Sequence, residues 1–350
     1  MDMNYKTRMA AAAVISLAVF WISEIGSHGS LPGDEDVTLR AARLMGQAVQ
    51  AIAAERERRG VSFESSSDPN RTGLIGPQDS PLVTTVGELE AKRTTANPNM
   101  AGLIVLLLRQ AGVKAGDSVA IGSSGSFPAL LVASLAAAKA MDVQPVVILS
   151  LGASSYGATD PHFDLLDIFN LLQRERICTE TPTGVSLGGD KDVGLEFETG
   201  TRDRVANRIR ASGLLFLHEP DLRRNVDERM RLYRSAARGK IAAFINSGGG
   251  FANLGTSRLV LDVKPGLNTR LQQPPAAERG VLFEMVASNI PVIHLLYVRG
   301  LAQQAGLPWD PIPLPQPEAY PDATSRRSVW FWPESLIYLV LLGLLIPRRR

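Results

Sequence analysis

DSVAIGSSGSFPALLVASLAAAKAMDVQPVVILS, residues 117–150, sets the fold class. An apolar run, SVAIG (118–122), meets a Gly/Ser loop, SSGSF. An Ala/Leu-rich stretch with helical character covers 128–142, and a second apolar run, PVVILS, covers 145–150. Short apolar runs bounded by turn residues indicate strands buried on both faces. A strand–helix–strand unit of this length makes the two strands parallel, because a parallel return needs a crossover helix.

The same alternation continues outward. Apolar spacing predicts helices over 37–59, 99–112, 164–173, 201–212, 221–237, 277–288 and 298–305, and strands over 214–219, 241–246 and 291–296. The fold class is therefore α/β: a doubly wound, mostly parallel sheet, or two similar halves without a sequence repeat. Residues 65–99 are polar and rich in Pro and Gly, so a long irregular segment is expected, with a strand only at 82–86.

The chain has 350 residues, with 37 Lys and Arg against 35 Asp and Glu, a formal charge of +2. That balance argues against nucleic acid as a partner. Hydrophobic residues make up 45%, enough for an ordinary core. A single cysteine, Cys178, rules out an internal disulfide framework and a Cys-based zinc cluster.

The ends suggest a membrane. MAAAAVISLAVFWIS (9–23) is uncharged and follows Lys6 and Arg8. VWFWPESLIYLVLLGLLIP (329–347) begins with aromatic residues and ends at Arg348, Arg349 and Arg350. By the positive-inside rule both ends face the cytoplasm. The expected layout is a cytoplasmic tail 1–8, a transmembrane anchor 9–25, a linker 26–36 and an extracytoplasmic α/β domain 37–309. A Pro-rich linker 310–328, a transmembrane helix 329–347 and a cytoplasmic Arg tail 348–350 complete it, at the inner membrane of a bacterial cell. The prolines of 310–328 predict an extended spacer that stands off the domain.

Ligands of open parallel sheets bind beyond the carboxyl ends of the strands. Four stretches qualify: 122–127, 152–160, 218–221 and 246–250. In the first, Gly122, Ser123, Ser124, Gly125 and Ser126 lead into a helix, a setting that suits an anion; the plainer alternative is a tight turn with a capping serine. Asn246, Gly248 and Gly249 form the equivalent loop after the strand at 241–246. G-x-x-x-x-G-K-[ST], G-x-G-x-x-G and G-x-S-x-G are all absent. Ser124 or Ser126 could act as a nucleophile only with a base, for which His162, His218 and His294 are the candidates. His162 with Asp160 and Asp164, or His218 with Glu219 and Asp221, lacks diagnostic metal spacing, so neither a metal nor a cofactor is expected.

RTGLIGPQDSPLVTTVGELEAKRTTANPN (71–99), GDSVAIGSSGSFPALLVASLAA (116–137), SLGASSYGATDP (150–161), AFINSGGGFANLG (243–255) and IPVIHLLYVRGLAQQAGLPWDPIPLP (290–315) resemble the poly-gamma-glutamate system protein family. The resemblance covers most of 37–315. It implies a membrane-associated accessory of poly-gamma-glutamate capsule synthesis or export, working beside the other synthase subunits, and implies no catalytic residue. Such a polymer carries a carboxylate on every unit, which Arg, Lys and backbone N–H groups recognise. Lys92 and Arg93 in the long polar segment, and Arg299 after the strand holding His294, are the cations expected to meet it. Two functions follow: a non-catalytic module that binds or guides the anionic polymer, favoured by the missing nucleophile motif, or a Ser/His-type amide hydrolase or transferase acting on it.

Overall fold

The computed structural model describes residues 36–320, together with Ser16. The expected segments 1–8, 9–25, 329–347 and 348–350 lie outside the described residues (Ser16 aside), as do most of 26–36 and residues 321–328. Among the described residues no helix is long and apolar enough to cross a membrane.

The first element is α1 (Val37–Arg58), whose Ala41, Met45, Ala48 and Ile52 recur every three to four residues and are buried. The stretch expected to be irregular holds β1 (Val83–Thr85) and a helix the sequence reading missed, α2 (Leu89–Thr95). Its Ala91, Lys92, Thr94 and Thr95 are buried, a polar inner face that apolar periodicity does not reveal.

Then come α3 (Asn99–Gln110), β2 (Ser118–Ser124), α4 (Pro128–Ala140) and β3 (Gln144–Ser150). The short strands β4 (Ala153–Ser154), β5 (Thr159–Asp160) and β6 (Phe163–Asp164) precede α5 (Leu165–Arg174). Next are β7 (Gly184–Ser186), which sequence reading also missed, α6 (Thr199–Ala211), β8 (Phe216–Leu217), α7 (Leu222–Ala236) and β9 (Ile241–Asn246). The chain closes with α8 (Phe251–Leu254), β10 (Gly266–Asn268), α9 (Val281–Ala287), β11 (Val292–His294) and α10 (Val298–Ala305). The strand expected at 214–219 is only two residues long, being at the edge of its sheet.

One seven-stranded sheet, in the order β10-β11-β9-β2-β3-β7-β8, replaces the idea of two similar halves. It is parallel except where β10 pairs antiparallel with β11. From β2 the chain steps outward through β3, β7 and β8, then returns to place β9 on the other side of β2. Strand order therefore reverses between β2 and β9, where a crevice opens beyond their carboxyl ends.

Both faces are covered. Val119, Ile121, Val147, Leu149, Ala243 and Ile245 pack with residues of α1, α3, α4 and α5. Their neighbours Ala120, Val146, Ile148 and Phe244 pack with α7 and α9. The two-residue period of a strand explains the split, and burial of both sets explains why these strands are apolar throughout.

The segment expected to stand away from the domain does not do so over its described part. Asp310 pairs with Arg93 at 2.6 Å, Asn70 donates to the Pro311 carbonyl, and Asn99 donates to the Gln316 carbonyl. The N–H groups of Glu318 and Tyr320 reach Asn99 and Thr38. The compact unit runs from Val37 to Tyr320. Proline lacks a backbone donor but keeps its carbonyl, so the body binds carbonyls of this segment at Pro311 and Gln316 and N–H groups only at its non-proline residues, Asp310, Glu318 and Tyr320.

Candidate functional site

β2, β3 and β7 each end in serine, and the parallel register sets Ser124 beside Ser150 and Ser150 beside Ser186. On the other side of β2, Gly122 pairs with Asn246, and Asn246 with His294. A polar row thus crosses the carboxyl edge of an otherwise apolar sheet.

Behind the serines lies a buried ion pair. Arg229 of α7 and Asp192, each 1% exposed, meet at 2.6 Å. Asp192 also accepts from Ser186 Oγ at 2.7 Å, Ser150 Oγ at 3.2 Å and Asn225 Nδ2 at 3.1 Å. Arg229 donates further to Ser186 Oγ at 2.9 Å and to Asn225 Oδ1 at 2.8 Å. The carboxylate and guanidinium are satisfied on every side, the condition under which a buried pair is tolerated. Ser150 is thereby held as an oriented donor.

In front of the serines is a cleft of about 210 Å³. Its walls are glycine backbone from the loops after β3, β7 and β9, with Ser124, Ser126 and Ser150 at its base and Phe251 at one side. The N–H groups of Gly249, Gly250 and Phe251 have no acceptor among the described residues. Asp190 and Glu196 stand on the rim, and the Glu196 carboxylate accepts the Asp190 N–H at 2.8 Å. Among the described residues no Lys or Arg lines the cleft.

Gly125 and Gly248 are required by packing. A Cβ on Gly125 would lie 2.6 Å from the Leu151 carbonyl and 2.9 Å from Ala153 Cβ; one on Gly248 would strike Ser124. Ser123 and Ser124 belong to β2 and not to the loop after it. Ser123 is buried, its Oγ without a partner, at an odd position like Val119 and Ile121 and so on the face opposite the cleft.

The cations expected to meet a polymer are committed elsewhere. Lys92 is 2% exposed. Its Nζ donates to the Ser126 carbonyl and, at 2.6 Å, to Ser154 Oγ, and it sits 3.9 Å from the Phe127 ring centroid. Burial pushes its ammonium down to about 7. Lys92 therefore fastens the loop after β2 to the loop after β3 from inside. Arg93 is held by Asp310, and Arg299 by Glu88 at 3.1 Å and by the Trp309 ring.

The histidines are scattered. His162 is exposed, its N–H bound to Asp160, in a different cleft with Arg59. His218 is exposed and stacks obliquely on Phe216. His294 is buried, its Nδ1 facing Asn246 Nδ2 at 3.1 Å, and burial pushes it down to about 4. Since Asn246 Oδ1 accepts from Asn253, its amide donates to Nδ1 and His294 is neutral with the proton on Nε2. Among the described residues no hydrogen bond joins Ser124 or Ser126 to a histidine. Ser126 Oγ accepts from the Ser154 N–H and Ser124 Oγ from the Ser126 N–H.

No family model, characterised protein or solved structure matches this chain.

Sequence reasoning found Ser124, Ser126 and Gly249, and named the loops that hold Gly152 and Gly250, but not Gly188 and Gly189. It missed Ser150, Ser186, Asp192, Asn225, Arg229 and Asn253. One signal was available: three apolar strands each ending in serine. Nothing local pointed to Asp192 or Arg229, which meet across 37 residues of sequence.

Proposed function

We propose that the chain is a non-catalytic binding module for a carboxylate-bearing ligand, serving a membrane-associated poly-gamma-glutamate system alongside its other subunits. The pathway rests on the sequence resemblance. The mode of action rests on one observation: the switch-point cleft offers unpaired backbone N–H groups and hydroxyls, while among the described residues no histidine is hydrogen-bonded to Ser124 or Ser126, and the carboxylate that Ser150 reaches, Asp192, is held by Arg229. A serine hydrolase needs a base within about 2.6–3.2 Å of its nucleophile. Here Ser124 and Ser126 Oγ accept from backbone N–H groups, and Ser150 Oγ donates to Asp192, which is itself held in an ion pair by Arg229.

An acceptor group of the ligand fits the N–H groups of Gly249, Gly250 and Phe251. The acidic rim limits what enters. Asp190 and Glu196 repel the body of a polyanion, so the cleft suits a single group or a chain end.

Incubating the purified full chain with poly-gamma-glutamate, followed by equilibrium dialysis and size-exclusion chromatography, tests this reading. Saturable binding with an unchanged length distribution is expected, and the Ser124→Ala/Ser126→Ala double variant should leave polymer length equally unchanged. Catalytic shortening that disappears in that variant would install the hydrolase in place of the binding module.

A further inference from the structure

Residues 222–240 contain seven Lys and Arg against two Asp and Glu, a net of +5, although the whole chain carries only +2. The fold concentrates this charge. α7 buries Leu222, Val226, Met230 and Tyr233 and leaves Arg224, Arg231 and Arg234 exposed. Positions 7 and 10 residues apart fall on one side of a helix, here over about 15 Å of its length. Of the two acids, Asp227 is held by Arg223, and Glu228 lies 3.8 Å from Arg231.

α7 also links the two ends of the sheet. Near its start, Asn225 and Arg229 reach Asp192 behind the cleft. Beyond its end, the Arg238 N–H meets Ser118 Oγ and Gln144 Oε1 at the opposite edge of β2 and β3. There a cavity of about 490 Å³ is lined by three cations, Lys139, Arg176 and Arg238, against two acids, Asp142 and Glu180. The Arg176 guanidinium has no hydrogen-bond or ion-pair partner among the described residues, Lys139 rests on the Arg176 carbonyl, and Arg238 approaches Glu180 only to 3.7 Å.

We infer that the exposed face of α7, together with this basal cavity, is a track that seats a chain of repeated carboxylates, the cavity taking one carboxylate group between Arg176 and Arg238. The inference rests on the binding-module reading and supplies the cations that the cleft lacks. Guanidinium forks match carboxylates geometrically. A bilayer is a poorer occupant, because every apolar side chain of α7 from Leu222 to Tyr233 faces inward and leaves nothing to insert. Nucleic acid is also poorer, since the one aromatic residue of α7, Tyr233, is buried and leaves no surface on which bases stack.

Fluorescence anisotropy of the full chain with labelled poly-gamma-glutamate, at low and high salt, tests the track. Wild-type affinity should fall with salt as exposed charges are screened. Arg176→Gln with Arg238→Gln should weaken binding about tenfold, in the range expected of two lost charge-assisted contacts. Arg224→Glu with Arg231→Glu and Arg234→Glu should abolish it. The charge-matched control Arg258→Gln with Lys264→Gln, at exposed residues that belong neither to α7 nor to the cavity lining, should stay within about twofold. Circular dichroism checks folding, and Arg224→Gln alone substitutes for the triple variant if that one does not fold. Wild-type binding that survives in both folded track variants overturns this inference and leaves the module reading standing. No wild-type binding overturns both. Binding to phosphatidylglycerol vesicles or duplex DNA instead, lost in the triple variant, overturns the carboxylate assignment.

Discussion

Lys92 and Arg229 are both interior cations, and their surroundings make them behave differently. Lys92 has only neutral partners, so its protonation in the folded protein costs desolvation that no carboxylate offsets. Its folded value, near 7, lies below the ~10.4 of an unfolded lysine. Between those two values the unfolded chain binds more protons, so this residue makes stability rise with pH across that window. Urea unfolding at pH 7, 8.5 and 10 should show that rise in wild type and its absence in Lys92→Met; equal pH slopes would remove the argument. Arg229 is the opposite case. Replacing it by Met strands the Asp192 carboxylate in the core, at a cost of about 3–5 kcal/mol. Adding Asp192→Leu removes the stranded charge as well, so the double variant should be more stable than Arg229→Met alone. A double variant that is worse than the single would show that the pair is held for reasons other than mutual neutralisation.

Elements meet at the cleft through backbone contact, and this decides how its loops tolerate change. Gly125→Val would drive a side chain into the Leu151 carbonyl and Ala153. The loops after β2 and β3 are interlocked there, so the substitution should destabilise by about 2 kcal/mol or more, as overpacking does, and not simply block a ligand. Thermal unfolding measures it; an unchanged midpoint would mean that the loops can separate freely. Residues 310–320 form the second such contact. Ending the chain after Trp309 removes the Arg93–Asp310 pair, the hydrogen bonds that Asn70 and Asn99 donate, and the one that Thr38 Oγ1 accepts from the Tyr320 N–H. At about 0.5–1.5 kcal/mol per hydrogen bond, the loss should be about 2–4 kcal/mol relative to a chain ending after Tyr320. A difference near zero would show that the segment lies on the body without holding it.

Across the whole domain, a single sheet serves two apolar cores. Leu149 faces one and Phe244 the other, and β2 lies between their strands. Neither core can dissolve without uncovering the same strands, so residues 37–320 should unfold in one transition. Leu149→Ala and Phe244→Ala should each lower the same urea midpoint, by about 2–5 kcal/mol in stability, with far-ultraviolet dichroism and Trp309 fluorescence coincident. Two separated transitions in either variant would divide the molecule into independent halves after all.

Local chemistry in the sequence was sufficient to determine the α/β class, the crossover unit 117–150, most helices, and the placing of the Gly/Ser segments at carboxyl ends of strands. Apolar runs and their turn residues act over ten to fifteen positions, so a linear reading captures them. β7, β8 and β10 were missed or misjudged because strands of two or three residues derive their identity from a neighbouring strand. α2 was missed because its inner face is polar, paired with loops distant in sequence. Tertiary structure alone could decide which charges are free. Lys92 and Arg93 look like surface cations in sequence, yet the fold turns each inward against a partner 34 or 217 residues away. Arg224, Arg231 and Arg234 look like ordinary helix charges, yet remain exposed. Charge is written in the residue; whether it is neutralised depends on which distant group the fold brings within about 4 Å.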